Sequence, residues 1–537
     1  MKWQGRSIYA GIAQGQALVT HMGISFFGGV DPDTGMVVER GHELEGQSIA
    51  GKILVFPTGK GSTVGSYTLY RLAFNGKTPA AIINHECEPI TAVGCIIAEI
   101  PCVDHLPLNT FKTGQYLQVD ASRAVVEELP WPGDTFGSLA TPLTGQDPNS
   151  FAYYTITQRF INMLRQVVAD YPWTDEIFAS LHNLQEQIPH GQLGLLQDGG
   201  APDEQAWNHA LRFYQHLSWL EAPWLLVETY FFRRILAATG YFQEGPGREV
   251  DPYAAQKRQA LDQVSDGLSA FYQMAGEQAY IGDNAAARLS DLLRLSLWGN
   301  QADLSMWSTD DQNRPDNPQA ETREAHILDD DSLQASRYLL SLAKRSARVD
   351  FVLDNGGIEL AYDLALADLL IKNNLAAQVI LHVKPHPTYV SDVIRQDVFN
   401  LLEYLSEAPS SEVQALANRF DDYLAQGQVT LNTHFYWTSP LSGWEMPPDL
   451  RQDLRKSNLI ISKGDANYRR WLGDRSWSFT TPVHSVLNYL PAPFLAFRVL
   501  KSNVLLGLPD GVSQALDKKD PQWLTNGAWG VIQAVGI

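Results

Sequence analysis

Three apolar runs in the C-terminal third each lead to an acidic residue. They are Phe351-Val352-Leu353-Asp354, residues 379–383 with Asp392 in the loop beyond, and Leu459-Ile460-Ile461-Ser462-Lys463-Gly464-Asp465. The first continues into Asn355, Gly356-Gly357 and Glu359. Helical patterns at 360–371 and 412–425 separate the runs. Short apolar runs between helices read as buried parallel strands. Ligands of open α/β sheets bind beyond the carboxyl ends of the strands. One rim is therefore expected to hold Asp354, Asp392, Asp465 and Asn355. Three carboxylates and an amide form an oxygen-rich set that suits Mg or Mn, and this points towards phosphate chemistry.

A chain of 537 residues exceeds one hydrophobic core, so several domains are expected. Sixty acids against forty bases give a net charge of -20, which argues against nucleic acid or an anionic membrane as partner. A small anionic substrate stays compatible, because a local basic cluster overrides net charge. Cys87, Cys95 and Cys102 form no C-x-x-C pair, so reduced thiols are expected. Met1 to Arg6 lead into no apolar signal region, and no run reaches the roughly 18 apolar residues of a membrane span. A soluble, cytoplasmic chain is the expectation.

Residues 1–130 are glycine-rich with short β-branched runs. Ile24-Ser25-Phe26-Phe27, Met36-Val37-Val38, 52–56 and 80–83 read as strands. Residues 131–150 carry a high density of proline and glycine and read as a linker. From 151 to 307 the period is near 3.6; Phe160, Leu164, Val167 and Val168 share one face. Residues 308–345 hold an acidic stretch, with Asp310-Asp311 and Asp329-Asp330-Asp331 read as a solvated loop, then a connecting helix. Residues 346–537 form the α/β domain.

Each candidate group has a plain structural alternative. Asp354 and Asp392 serve equally well as helix caps, with Asn355 shaping a turn. Gly356-Gly357 would let a ligand approach the backbone, near helix amides that favour an anion. Asp465 could orient a water or a substrate, and Asn467 and Arg469 could hold phosphate oxygens; a loop with a surface ion pair fits as well. Lys501 follows the apolar run Phe494-Leu495-Ala496-Phe497 and could meet a phosphoryl group, although a lone lysine is more often a surface charge. Glu228 with Arg233 and Arg234 reads as an exposed helix face. His382 and His386 flank Lys384-Pro385, and the prolines forbid the helix that would align both rings. Leu297 to Asp303 reads as a loop reaching the site or as packing. Pro57-Thr58-Gly59-Lys60-Gly61-Ser62-Thr63 fails the P-loop spacing.

From about residue 151 onward the chain resembles the damage-control phosphatase family, most of all its third subfamily, which includes the acidic-residue methyltransferase-like proteins. Five motifs carry the resemblance: Pro223-Trp224-Leu225-Leu226-Val227-Glu228, Ser296-Leu297-Trp298-Gly299-Asn300, Arg348-Val349-Asp350-Phe351-Val352-Leu353-Asp354-Asn355, Tyr389-Val390-Ser391-Asp392 and Lys463-Gly464-Asp465-Ala466-Asn467-Tyr468-Arg469. The resemblance implies metal-dependent hydrolysis of phosphorylated metabolites on a Rossmann-like α/β/α sandwich with a helical part. It implies metal ligation by Asp354, Asn355 and Asp392, with Mn, Mg, Co or Ni as the ion. It places substrate contacts on Glu359, on Asp465, Asn467 and Arg469, and on Lys501. The family's R-T-x-K signature reads Arg498-Val499-Leu500-Lys501 here, so the threonine's hydrogen bond is missing. Ala466 replaces a usual leucine.

Residues 1–130 resemble the small swivel subunit of aconitase X-type dehydratases, through Gly23 to Pro32, His42-Glu43-Leu44-Glu45-Gly46 and Gly59-Lys60-Gly61-Ser62-Thr63. That resemblance implies a swivelling β/β/α domain in which Ser62 falls on the proton-accepting serine. The leading expectation is a metal-dependent phosphatase acting on sugar phosphates or related damaged phosphometabolites. One rival is an S-adenosylmethionine-dependent carboxyl methyltransferase, although Asp354-Asn355-Gly356-Gly357 is no G-x-G-x-x-G loop. Another is a dehydratase completed by a separate large subunit that docks on the swivel domain. A swivel domain that only covers the phosphatase cleft is a further alternative.

Overall fold

The computed structural model describes residues 1–136, 139–261, 264–275, 284–299 and 325–537. It divides into two compact units. The N-terminal unit comprises Met1–Leu139 with Leu193–Leu195 and Asn208–His216; the rest forms the C-terminal unit. No helix among the described residues is long and apolar enough to cross a membrane.

The N-terminal unit is built on β1 (Lys2–Gln4), β2 (Arg6–Tyr9), β3 (Ile12–Val19), β4 (Ile53–Phe56), β5 (Ala81–Asn84), β6 (Cys102–Asp104), β7 (Tyr116–Asp120) and β8 (Val125–Glu128). The sheet order is β1-β8-β7-β3-β4-β5-β6-β2, with β3 to β6 parallel. Alternation along β4 and β5 divides the interior into two cores. Ile53, Val55 and Ile83 pack with Leu117, Val119 and Val126 of β7 and β8. Leu54, Phe56 and Ile82 pack with Leu69, Leu72 and Cys95 of the helices Gly65–Phe74 and Pro89–Ile97. This is the β/β/α arrangement expected of a swivel domain.

Two expected strands are not formed. Ile24 makes one bridge to Gly59, and Phe26–Gly29 is a short helical turn broken at Gly28, whose φ is +77°. Only Ile24 and Phe26 of that run are buried, too few to commit it to a sheet. Met36 and Val37 make isolated bridges only.

The C-terminal unit holds β9 (Ile327–Asp330), β10 (Arg348–Val352), β11 (Gln378–Val383), β12 (Val429–Thr433), β13 (Leu459–Lys463), β14 (Phe494–Val499) and β15 (Gly530–Val535). Their order is β12-β11-β10-β13-β14-β15-β9. The first five are parallel, β15 runs antiparallel to β14, and β9 is parallel to β15. The helix Ile358–Lys372 is apolar nearly all round and buried along most of its length, as an interior helix should be. Leu364 and Leu366 share the main core with Val349, Phe351, Val379 and Ile461 of the sheet.

The acidic segment differs from its reading as a solvated loop. Asp329 and Asp330 belong to edge strand β9, and Asp331 Oδ2 accepts the Ala534 amide at 2.8 Å. Asp330 is paired with Arg294 at 2.7 Å. Asp310-Asp311 and the Asn300–Asp303 part of the proposed site loop lie outside the described residues.

Candidate active site

The chain passes from β10 to β11 and β12 on one side, then returns to β13 and β14 on the other. The C-terminal ends of β10 and β13 thus flank the point where strand order reverses, which is where open α/β sheets leave a crevice. A small cavity of about 50 Å³ lies there. Asp354 and Asn355 beyond β10, Asp392 beyond β11, Asp465, Ala466 and Arg469 beyond β13, and Lys501 beyond β14 line it. Phe151, Arg159, Trp224, Glu228 and Tyr389 complete the wall.

Local backbone chemistry explains how the acids come together. Gly464 has φ +89°, and a Cβ there would lie 1.8 Å from Asp354 Oδ2. A side chain at that position would therefore fill the space of the carboxylate. Asn355 Nδ2 donates to Asp354 Oδ2 at 2.9 Å and to Glu359 Oε2 at 2.8 Å, while its Oδ1 accepts from Ser391 Oγ at 2.6 Å. Tyr389 and Val390 are both left-handed, with φ of 49° and 66°. Such values are costly for non-glycine residues, and for β-branched valine above all. The bend turns the loop back on Asn355: Gly356 N donates to Ser391 O and Val393 N to Asp354 O, each at 2.8 Å. Asn355 and Asp392 form a bridge.

Charges are arranged in pairs around this frame. Lys384 Nζ lies 3.3 Å from Asp392 Oδ2 and also donates to Leu353 O and Asn467 Oδ1. Asp465 Oδ1 accepts from Arg498 Nε at 2.8 Å and Ser502 Oγ at 3.0 Å. Burial alone would raise the Asp465 carboxyl, but the Arg498 and Arg469 charges and these hydrogen bonds hold it below the usual range. Arg469 grips Asp474 with two nitrogens, at 2.8 and 2.9 Å, and reaches Glu228 at 2.5 Å. Its guanidinium lies over Trp224, 3.6 Å from the ring centroid. Burial raises the Glu228 carboxyl against the opposing Arg469 charge.

The family match accords with this geometry. Residues 154–516 match the damage-control phosphatase ARMT1-like domain.

The chain belongs to the ARMT1-like damage-control phosphatase family.

The damage-control phosphatase ARMT1 of Danio rerio is 31% identical over 431 residues, covering 73% of this chain and 96% of that protein. Residues 2–128 match the aconitase X swivel domain. A solved chain of Thermococcus kodakaraensis aconitase X is 52% identical, covering 24% of this chain and 99% of its own length, at a TM-score of 0.24. A DUF89 family protein from Pyrococcus horikoshii is 13% identical, covering 71% of this chain and 96% of its own, at a TM-score of 0.36. This member of the ARMT1-like family thus carries two recognisable segments in series.

Six of the residues given ligand or substrate roles from sequence line the cavity together, with Glu228 beside them: Asp354, Asn355, Asp392, Asp465, Arg469 and Lys501. Glu359 and Asn467 stand behind this lining. Glu359 meets the Asn355 amide, and Asn467 Nδ2 donates to Leu353 O and Lys463 O. The Asn467 amide ties β13 to the end of β10 and to Lys384. Ser62 belongs to the N-terminal unit, exposed on the turn before the helix Gly65–Phe74, where its Oγ accepts from Val64 N at 3.3 Å.

The exposed helix face expected at Glu228 and Arg233 is not found; both side chains are buried in the helix Trp224–Thr239. The helix is covered on nearly every side, so its charges are retained by ion pairing: Arg233 holds Asp203 and Asp198 at 2.8 and 2.7 Å. His382 pairs with Asp350 at 2.8 Å, and His386 lies 3.5 Å from Asp203. Lys384, between these histidines, was not singled out from sequence. Its signal was its place immediately after a buried strand end, where a charged residue needs a buried partner.

A larger groove, about 960 Å³, adjoins the same turn through Gly356 and Gly357 and is lined by Lys257, Asp251, Asp397 and Tyr241 among others. The convergent acids, amide and cations lie in the smaller cavity. Its donor set tests well for a hard cation. Asp354 and Asp392 offer carboxylates, and Asn355 Oδ1 has a second lone pair beyond the Ser391 bond. No group of three or more His, Cys, Asp or Glu side chains among the described residues is placed to hold a metal. Any ion here would rely on an amide oxygen as third protein ligand.

Proposed function

We propose that this chain is a metal-dependent phosphatase that hydrolyses sugar phosphates or related damaged phosphometabolites. The observation that carries the reading is the convergence of Asp354, Asn355 and Asp392 with Arg469 and Lys501 on one cavity at the strand-order switch. Acids suited to a cation and cations suited to an anion line the same cavity. A divalent ion such as Mn, Mg, Co or Ni, held by Asp354, Asn355 and Asp392, would polarise a phosphoryl oxygen and acidify a water.

The chain's own groups have separable tasks in this reading. Lys501 and Arg469 neutralise charge developing on the phosphoryl oxygens. Asp465, kept ionised by Arg498, accepts a hydrogen bond from the attacking water or a substrate hydroxyl. Lys384 holds Asp392 in place, and Glu359 orients the Asn355 amide. Trp224 and Phe151 form an apolar wall that limits bulk water. Phosphate release from a panel of sugar phosphates with Mn or Mg tests the reading. Equal, negligible release by the wild type and Asp354→Ala across the panel would sink it.

A second reading concerns the N-terminal unit. Its helix Gly65–Phe74 exposes Tyr67, Tyr70 and Phe74, at 70%, 53% and 78%, along one face. With the swivel-domain match, this supports docking of a dehydratase-type large subunit. Affinity capture from the native cell should recover such a polypeptide, and Tyr67→Asp with Phe74→Asp should abolish its recovery. Recovery that survives both substitutions, or no such polypeptide at all, removes this reading.

A further inference from the structure

Tyr389 lines the small cavity, yet its role is not accounted for by ion binding or by charge neutralisation. Its hydroxyl is buried without a hydrogen-bond partner among the described residues. The same holds for the indole nitrogen of Trp224 on the same wall. A buried hydroxyl left unsatisfied is costly, and native proteins rarely retain one without a reason. The backbone adds a second cost at the same place, since Tyr389 and the following Val390 both occupy the left-handed region. Such conformations persist where the surroundings impose them, and they cluster at ligand sites.

The ring itself is well packed, with its centroid 4.8 Å from that of Phe232. Packing therefore explains an aromatic residue here but not its oxygen. Phenylalanine would satisfy the same contact and avoid the unsatisfied group. We propose that the Tyr389 hydroxyl is a substrate-contacting donor, giving its hydrogen bond to a phosphoryl oxygen that enters the cavity. The inference rests on the phosphatase reading above and adds a neutral donor to Lys501 and Arg469. Burial, reinforced by the Glu228 charge, raises the phenol well above its ordinary range, so it remains protonated and acts as a donor. The acceptor missing in the free protein is supplied by the ligand, so the cost of the buried hydroxyl becomes a gain on binding.

The test uses the full chain with Mg and inorganic phosphate as the probe. Calorimetric titration gives Kd for the wild type and for Tyr389→Phe, and melting curves give the stability of each without phosphate. The expected result is a Kd about 10- to 100-fold weaker in Tyr389→Phe, the loss of one hydrogen bond to a charged group, with free-state stability unchanged or higher. Phosphate affinity equal in the two proteins would overturn the role of Tyr389 while leaving the phosphatase reading intact. A lowered melting temperature with unchanged affinity would likewise assign the hydroxyl to structure. Absence of phosphate binding in the wild type, together with absence of phosphate release from the sugar phosphates, would overturn the phosphatase reading itself.

Discussion

Asp350 and Asp354 stand four residues apart on the same run of chain, both buried, in opposite chemical settings. Asp350 lies within β10 and is saturated. Its Oδ1 accepts from Arg348 Nη2 at 2.7 Å and His382 Nε2 at 2.8 Å; its Oδ2 accepts from Arg348 Nε at 2.8 Å and Ser457 Oγ at 2.5 Å. Asp354 lies just beyond the strand. Its Oδ2 accepts from the Asn355 amide, and it borders a cavity shared with Asp392 and Asp465. The difference shows how position along one strand separates a structural acid from a candidate catalytic one. Inside the sheet, neighbouring elements close round the carboxylate. Past its end, loops approach from several strands and leave a space between them.

Exchanging the two acids for alanine should break this comparison in opposite directions. Asp350→Ala should cost about 3–5 kcal/mol of stability in urea unfolding, because it removes the buried acceptor shared by Arg348, His382 and Ser457 and leaves Arg348 with Asp453 alone. It should leave kcat on an accepted sugar phosphate within a few-fold. A mild loss of stability with a collapse of kcat would remove the distinction. Asp354→Ala should lower phosphate release about 10²–10³-fold, while its unfolding midpoint stays near that of the wild type or rises. Strong destabilisation without selective loss of turnover would make Asp354 a second Asp350.

Gly464→Ala sharpens the same contrast with a smaller effect. A Cβ at φ +89° meets the Asp354 carboxylate, so about 1–3 kcal/mol of stability and roughly tenfold in kcat should be lost together. Unchanged kinetics would show that the carboxylate position is not critical.

The smallest effect is one of pH. Burial pushes the Asp350 carboxyl up, but the bonds from His382 and Arg348 outweigh it and hold the group below its ordinary value. A depressed folded-state pKa contributes stability that is fully present above the unfolded value near about 4 and is lost as pH falls through the folded value. The stability gap between wild type and Asp350→Asn should therefore be constant at neutral pH and narrow below about pH 4. A gap independent of pH in acid would show that Asp350 gains nothing from ionisation.

The strands leading to these acids were legible because β10, β11 and β13 are buried on both faces, so their runs are mostly apolar, with Asp350 and His382 tolerated by pairing with each other. The fold class follows from such local patterns, and the two family resemblances from the motifs quoted for them. Ile24-Ser25-Phe26-Phe27 misled because a four-residue apolar run carries no period of its own, and Gly28 allows the chain to bend instead. Glu228 and Arg233 misled for a different reason. A charged pair in a helix reads as solvent-facing unless its partners are known, and Arg469, the partner of Glu228, and Asp203, a partner of Arg233, lie far from them in sequence.

The sequence by itself determined that acids and an amide would gather at one rim, since strand periodicity and the parallel-sheet rule leave them no other place. Only the tertiary structure decided which of them share the cavity and which stand behind it. Lys384, Tyr389 and Trp224 entered through long-range packing and a strained bend at Tyr389 and Val390. Those contacts depend on where distant elements close on one another, which no local spacing encodes.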